Sequence, residues 1–155
     1  MTAGGYDPQS GPYPTHVEPG GLGARFLARL IDGIIVGVVG SIVLFALDLQ
    51  SNIMVTGLFT GLLTFVYFVA FEVTQGWTPG KKVLGLSVHG PAGAAKPDVS
   101  QSAIRNAFTV LTIIPFVGGL LAFIAIVVIA VTINGSPTKQ GKHDELAGGT
   151  QVVKG

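Results

Sequence analysis

The stretch GARFLARLIDGIIVGVVGSIVLFAL, Gly23–Leu47, decides the fold. Its second half is an unbroken apolar run, whereas its first half carries Arg25, Arg29 and Asp32. A membrane-spanning helix needs about 20 apolar residues, and this run reaches that length only if the helix starts near Phe26. The stretch therefore predicts a membrane helix that includes Arg29 and Asp32, although a charge at bilayer depth is costly unless it is paired or functional.

The composition of the whole chain is that of a membrane protein. Of 155 residues, 48% are hydrophobic and only 11% are charged, and the mean hydropathy is +0.62. The formal net charge of +1 provides no basic field for nucleic acid, so we expect no nucleic-acid partner. The chain has no cysteine and only three scattered histidines, so we expect no metal site and no cofactor.

The first residues differ in character from the rest. Residues 1–21 are rich in Gly and Pro and poor in aliphatic residues, which predicts a disordered tail. They lack the basic and apolar regions of a signal peptide, so the first apolar run is expected to remain in the protein. Residues 22–153 are predicted to form one transmembrane domain.

Three apolar runs are free of formal charge: Gly33–Leu47, Ile53–Phe71 and Ala107–Ile133. The third is too long for one span, and Pro115 interrupts it. One interpretation is a short hairpin of two helices over Ser100–Ile133. The other is an interfacial amphipathic helix before the proline and a single span after it. We favour the hairpin.

The lysines and arginines predict the topology, because they are retained in short loops on the cytoplasmic side. The connection Asp48–Asn52 has none. The segment Glu72–Asn106 and the start of the first helix hold six: Arg25, Arg29, Lys81, Lys82, Lys96 and Arg105. The N-terminus and the long loop should thus face the cytoplasm, and the C-terminus joins them if the number of crossings is even.

The segment between helices two and three changes character, with a turn signal in TPGK followed by KVLGLSVHG, Lys82–Gly90, which is typical of a short strand. The predicted fold is therefore an all-α membrane protein with three or four transmembrane helices. In the four-helix alternative the last two form the hairpin broken at Pro115. A small cytoplasmic β-hairpin or loop is expected between helices two and three.

The charged residues of the first helix are spaced to lie on one helix face. Arg25, Arg29 and Asp32 follow one another at steps of four and three, so Arg29 is expected to reach Asp32 locally. One interpretation of this stripe is a neutralised packing pair. The other is a proton or cation site at Asp32.

The predicted topology also brings distant charges to the same membrane face. Helix two ends near Glu72, and the hairpin would return the C-terminal tail to that level, which suggests a salt-bridged network that holds helix ends and loops together. No catalytic constellation is recognisable. The expected network, or ion site, comprises Arg25, Arg29, Asp32, Glu72, Lys81, Arg105, His143 and Asp144.

Glycines on the first two helices have the spacing of close helix packing. Gly33, Gly37 and Gly40 lie along one face of helix one, and Gly57 and Gly61 repeat the G-x-x-x-G spacing in helix two. The contact is either within one chain, which we favour, or between protomers.

Three ordered motifs resemble the RDD family of bacterial membrane proteins, named for one arginine and two aspartates. They are ARFLARLID (Ala24–Asp32), EVTQGWTPGKKVLGLSV (Glu72–Val88) and KHDELAGGTQVV (Lys142–Val153). The resemblance spans residues 21–153. It implies that Arg25 or Arg29 is the family arginine and that Asp32 and Asp144 are the family aspartates. The chain departs from the pattern at Gly141 and in the glycine pair before Thr150.

Two functions from different classes fit these residues. The first is a non-enzymatic accessory or scaffold subunit of a larger membrane assembly in the bacterial cytoplasmic membrane, with membrane lipid, a larger complex or a second copy of the chain as partners. The alternative is a cation or proton exchanger in which Asp32 binds the ion.

Overall fold

The chain forms three long helices joined at one end by a layer of short helices and strands. The computed structural model describes residues 18–155, and in it α1 spans Leu22–Ala46, α2 spans Ile53–Gln75 and α5 spans Gly118–Gly135. These three helices are long and apolar enough to cross a membrane, so the predicted all-α membrane fold is confirmed. The shorter elements are β1 (Glu18–Pro19), α3 (Pro79–Val83), β2 (Leu86–His89), α4 (Val99–Asn106), α6 (Lys142–Leu146) and β3 (Gln151–Lys154).

Local sequence sets the ends of α2. The Asn52 side chain accepts hydrogen bonds from the backbone N–H groups of Met54 and Val55 and caps the first turn. Gly76 ends the helix in a left-handed conformation, with φ of 74°, which glycine adopts without steric cost. Glu72 therefore lies in the last turn of α2.

The long third apolar run folds as a hairpin with unequal arms. After α4 the chain continues as a 3₁₀ helix, Ala107–Ile113, turns at Pro115 and returns as α5. The structure thus combines the two sequence interpretations, because α4 is a short helix before the hairpin and the 3₁₀ segment is its first arm. Three helices, rather than four, meet the length and hydropathy of a span among residues 18–155.

Glycines of α2 fix the depth of the hairpin. A Cβ on Gly61 would lie 2.6 Å from Ile113 Cγ1, and one on Gly57 would lie 3.7 Å from the Thr112 carbonyl oxygen. Gly61 is about 16 Å from Glu72 along the helix, so the 3₁₀ arm descends through about half of a hydrocarbon core about 30 Å thick. The G-x-x-x-G pair of α2 is therefore used for packing within the chain.

Of the β-hairpin or loop expected between helices two and three, the structure has a single strand and a loop, without a local β-hairpin. β2 pairs antiparallel with β3 at the C-terminus, and β3 pairs on its other edge with β1, giving the order β1-β3-β2. The residues after β2 form a 3₁₀ turn, Pro91–Gly93, instead of a second strand. The C-terminal segment supplies the middle strand, in which Gln151, Val152 and Val153 are all buried.

Of residues 1–21, for which the composition predicts a disordered tail, Glu18 and Pro19 pair with the C-terminal strand. β1 and the two glycines that follow it are ordered, and Gly20 N–H donates to the Val152 carbonyl at 2.9 Å. Short polar segments of this kind are ordered by pairing with a strand, which composition alone does not reveal. The disorder prediction for residues 1–17 lies outside the described residues.

A small apolar cluster attaches the sheet to α1. It contains Ala28, Leu86, Val88 and Val152, each at most 2% exposed. Because β1, β2 and β3 are only two to four residues long, such a sheet is not stable alone. Its position at the charged end of α1 follows from this packing.

The hairpin places Glu18 and the C-terminus at the same end of the helices, and this can be measured directly because the chain has no cysteine. We expect single cysteines at Lys82 and Lys142 to react with an impermeant maleimide from one membrane side. Cysteines at Gln50 and Phe116 should react only from the other side. Labelling of Lys142→Cys and Gln50→Cys from the same side would contradict the hairpin.

Candidate functional site

Three fully buried carboxylates mark the end of the helices where the short elements collect. Asp32 of α1, Glu72 of α2 and Asp144 of α6 are each 0% exposed. A buried charge is stable only when it is paired or fully hydrogen-bonded. The hydrogen-bond and ion-pair partners of each carboxylate therefore indicate the role of this region.

Glu72 is the meeting point of α2, α3 and α4. Its Oε1 accepts from Lys81 Nζ at 2.9 Å, and its Oε2 accepts from Ser102 Oγ and Asn106 Nδ2, also at 2.9 Å. Arg105 Nε lies 3.4 Å from Oε1. The carboxylate is thus surrounded by two cations and two neutral donors, which stabilise its charged form.

Asp144 joins the C-terminal segment to α1 and α4. Its carboxylate accepts from Arg105 Nη1, from Arg25 Nη1 and Nη2 at 3.3 Å, and from Thr150 Oγ1 at 2.9 Å. The Gly141 N–H adds a bond at 3.0 Å. Arg105 therefore bridges two buried acids that are far apart in sequence, Glu72 and Asp144.

The electrostatics of this bridge follow from burial and charge. Burial alone would raise the pKa of Asp144, but the attraction of Arg105, His143 and Arg25 outweighs it and lowers the pKa. Burial likewise opposes protonation of Arg105, yet Asp144 and Glu72 together raise its pKa. Both groups are therefore held in their charged forms.

Asp32 is held differently from the sequence expectation, which paired it with Arg29. No described cation forms an ion pair with it. Instead, its oxygens accept from Tyr67 Oη at 2.8 Å, Thr78 Oγ1 at 2.5 Å and the Gly80 N–H at 2.8 Å. Helical side chains lean toward the N-terminus of their helix, so Arg29 points away from an acid that follows it in the chain.

The TPGK motif supplies two of those donors because it docks onto α1. Thr78 caps α3 and Pro79 occupies its first turn. A Cβ on Gly80 would collide with the Ala28 carbonyl oxygen and lie 2.9 Å from Asp32 Cγ. Only glycine allows the backbone N–H to reach the carboxylate at this point.

Arg29 contacts no carboxylate among the described residues. Its Nη1 donates to Asn106 Oδ1 at 3.3 Å, and its guanidinium carbon lies 3.6 Å from the ring centroid of Phe68 and 4.9 Å from that of Phe108. Aromatic faces attract a desolvated cation. They do not neutralise it as a carboxylate in an ion pair would.

His143 lies at the edge of the same region. Its Nδ1 is 3.9 Å from Asp144 Oδ2, and its ring stands edge-on to Phe108. Burial, and then the positive charge of Arg105, lower its pKa to about 3, although Asp144 opposes this. His143 is therefore neutral at ordinary pH.

Two cavities adjoin the charged residues. One, of about 200 Å³, is lined by cations, His143 and an apolar wall from α1 and α5. The other, of about 430 Å³, lies between α2, the 3₁₀ arm and α5, and five threonines line it. Arg29, Phe108 and Ile126 line both, and no acidic residue of the described chain lines either.

The structure thus places seven of the eight residues of the expected site in or beside one cluster, which we call the charge cluster: Arg25, Arg29, Glu72, Lys81, Arg105, His143 and Asp144. Asp32 is separate, with neutral donors of its own. The neutral partners Tyr67, Thr78, Ser102, Asn106 and Thr150 were missed, because hydroxyls and amides have no spacing signature in a single sequence. Only Thr78, as a helix cap before proline, could have been singled out.

Comparison with known proteins gives one match. The family model described as the RDD family matches residues 19–148. Neither the curated proteins nor the solved structures include a significant match to the chain. The matched range contains all of the long helices and every residue of the charge cluster.

Removing the negative charge of Glu72 should lower the free energy of unfolding more than removing the charge of a surface acid. We expect Glu72→Gln to lower stability by about 3–5 kcal/mol, because it leaves buried Lys81 and Arg105 short of a counter-charge. The control is Glu145→Gln, whose 3.2 Å pair with Lys142 is more than half exposed and should matter by less than about 1 kcal/mol. Thermal unfolding in mild detergent measures both, and equal effects would contradict this role of the cluster.

Proposed function

Because this chain belongs to the RDD family and is a multi-pass membrane protein, we propose that it is a non-enzymatic accessory or scaffold subunit of a larger assembly. One observation carries the proposal: the membrane helices leave most of their surface unused within the chain. Only 28, 11 and 17% of the most apolar stretches of α1, α2 and α5 are buried. Such faces are available to lipid and to helices of other subunits.

The glycines of α1 favour a protein partner on one of these faces. Gly33 and Gly37 have G-x-x-x-G spacing, and no described atom lies within 4 Å of a Cβ built on either. Gly40, by contrast, packs against Leu63 of α2. Small residues at this spacing let two helix backbones approach closely, so the open pair supports docking of a partner helix there.

The distribution of lysine and arginine along the chain supports one orientation of the protein in the membrane. All nine lysines and arginines of the chain lie at the end of the helices that holds the charge cluster, and the connections at Asp48–Asn52 and around Pro115 hold none. By the retention of cations on the cytoplasmic side, we place the N-terminus and the C-terminus in the cytoplasm and the protein in the bacterial plasma membrane.

The internal pairing of the acids supports a structural role for the cluster. Glu72 and Asp144 hold five helices together, α1, α2, α3, α4 and α6, and Asp32 docks α3 against α1. A subunit built in this way presents a fixed cytoplasmic layer to its partner.

The assembly can be tested by extraction of the tagged protein in mild detergent, followed by native electrophoresis and mass spectrometry of the band. We expect a complex with a larger membrane protein. Gly33→Leu with Gly37→Leu should release the chain from it without unfolding, because both positions are open. Ile34→Leu with Val38→Leu, on exposed positions of the same helix, is the control.

Recovery of the wild type alone would contradict the accessory function. Recovery as a symmetric oligomer would do the same and would identify a second copy of the chain as the partner. In either case there is no larger complex from which the glycine variants could be released, and the exchanger hypothesis is favoured.

Asp32 separates the two functions. Three neutral donors hold the Asp32 oxygens, so we expect Asp32→Asn to lower stability by about 1–3 kcal/mol, because an amide cannot accept from all three. Asp48→Asn, at an exposed turn, should be neutral. The alternative is tested by proton-coupled cation flux in vesicles. If Asp32→Asn abolishes this flux while the protein keeps its melting temperature, the structural role is contradicted and the exchanger function is favoured.

A further inference from the structure

The cavity of about 200 Å³ beside the charge cluster has an excess of positive charge. Four cationic side chains line it: Arg25, Arg29, Lys81 and Arg105. The cluster offers them two carboxylates, Glu72 and Asp144, and even with Asp32 counted the cations outnumber the acids. An uncompensated charge beside a low-dielectric membrane is costly, so the cavity is electrostatically suited to an anion.

An unused hydrogen-bond donor in the same cavity provides a second, independent indication. Arg25 Nε is buried and has no hydrogen-bond partner in the described chain. The Arg25 side chain is only 8% exposed. Buried guanidinium N–H groups normally bind an acceptor, and phosphate oxygens match their geometry well.

The opposite wall of the cavity is apolar. Phe26 of α1 and Ile126, Ile129, Ala130 and Ile133 of α5 line it, and Phe26 is 63% exposed. A fully soluble anion gains nothing from such a wall, whereas an amphiphile places its charged group on the arginines and its first methylenes along α5. Basic pockets between membrane helices at the cytoplasmic level are suited to lipid head groups.

The size is compatible with a phosphate group rather than a large metabolite. A volume of about 200 Å³ corresponds to about seven water molecules at roughly 30 Å³ each. This accommodates a phosphate ester and a short part of what it is attached to.

We propose that this cavity binds a phosphate-bearing anion, supplied either by the head group of an anionic phospholipid or by a soluble phosphate. The apolar wall favours the lipid. Arg25 donates from Nε, Arg105 adds its positive charge, and Arg29, which forms no ion pair with a carboxylate among the described residues, provides the charge that the anion compensates. Lys81 completes the site, and a bound anion would raise its pKa, which burial, Arg105 and Arg29 lower against the effect of Glu72.

Arg29→Gln is the decisive variant, since it removes a cation without leaving any acid unpaired. The measurement is thermal unfolding of the full chain in detergent, titrated with phosphatidylglycerol, phosphatidylcholine or inorganic phosphate. We expect phosphatidylglycerol to stabilise the wild type most, and the midpoint concentration to rise about tenfold in Arg29→Gln. Lys82→Gln, which removes an exposed cation that lies over Trp77, is the matched control and should behave as the wild type.

The three probes distinguish the sources. Stabilisation by phosphatidylglycerol that inorganic phosphate does not displace assigns the site to lipid. Saturable binding of inorganic phosphate that is equally sensitive to Arg29→Gln assigns it to a soluble phosphate. Equal effects of phosphatidylglycerol and phosphatidylcholine, or an unchanged titration in Arg29→Gln, would overturn the proposal.

A second variant keeps the test valid if Arg29→Gln does not fold. Ala130→Leu fills the cavity from α5 without a change of charge, and it should weaken the effect of phosphatidylglycerol as well. Native mass spectrometry of the wild type should in addition show one retained anionic lipid per chain. Absence of that adduct together with an unaffected Ala130→Leu titration would also overturn the proposal.

Discussion

The guanidinium of Arg105 between Glu72 and Asp144 is the interaction on which the rest of the structure depends. Removing two carboxylates and an arginine from water costs several kcal/mol per ion, and only good geometry with further hydrogen bonds offsets that cost. Here each acid has neutral donors as well as cations. Because Arg105 belongs to both sets, α2, α4 and α6 assemble together or not at all. This explains how strands of two to four residues can remain folded on a membrane helix.

The buried charge of Asp32 is stabilised in a different way. It is as deeply buried as Glu72, yet backbone and hydroxyl dipoles from α2 and α3 solvate it instead of cations. Dipoles fixed by the fold replace water without a compensating charge, and they demand close approach, which Gly80 permits. The two arrangements have different structural roles. Asp32 fixes the loop after α2 locally, whereas Arg105 connects segments far apart in the chain.

Features that depend on local composition, such as the membrane spans, could be predicted from the sequence. Features that depend on contacts between residues far apart in the chain could not. Hydropathy identified the spans, and the uneven distribution of lysine and arginine brought the right residues to one layer. The pairings inside that layer depend on side-chain direction and on neutral partners, so Arg29 was assigned to Asp32 when its contacts are Asn106 and Phe68. The choice between a β-hairpin and a loop after α2 could not be made for a related reason, since β2 pairs with a strand more than sixty residues later.

The imbalance of charge in the layer connects fold to orientation. A cluster with more cations than acids favours the cytoplasmic orientation that we propose, in which the same excess would face the anionic surface of that leaflet. Complete neutralisation by further acids would stabilise the folded chain in isolation but would remove this bias. Arg29, supported by aromatic rings and an amide rather than a carboxylate, is the residue at which the protein keeps its positive charge available. The buried pairs hold the layer together, and in our proposal Arg29 connects it to a phosphate-bearing anion.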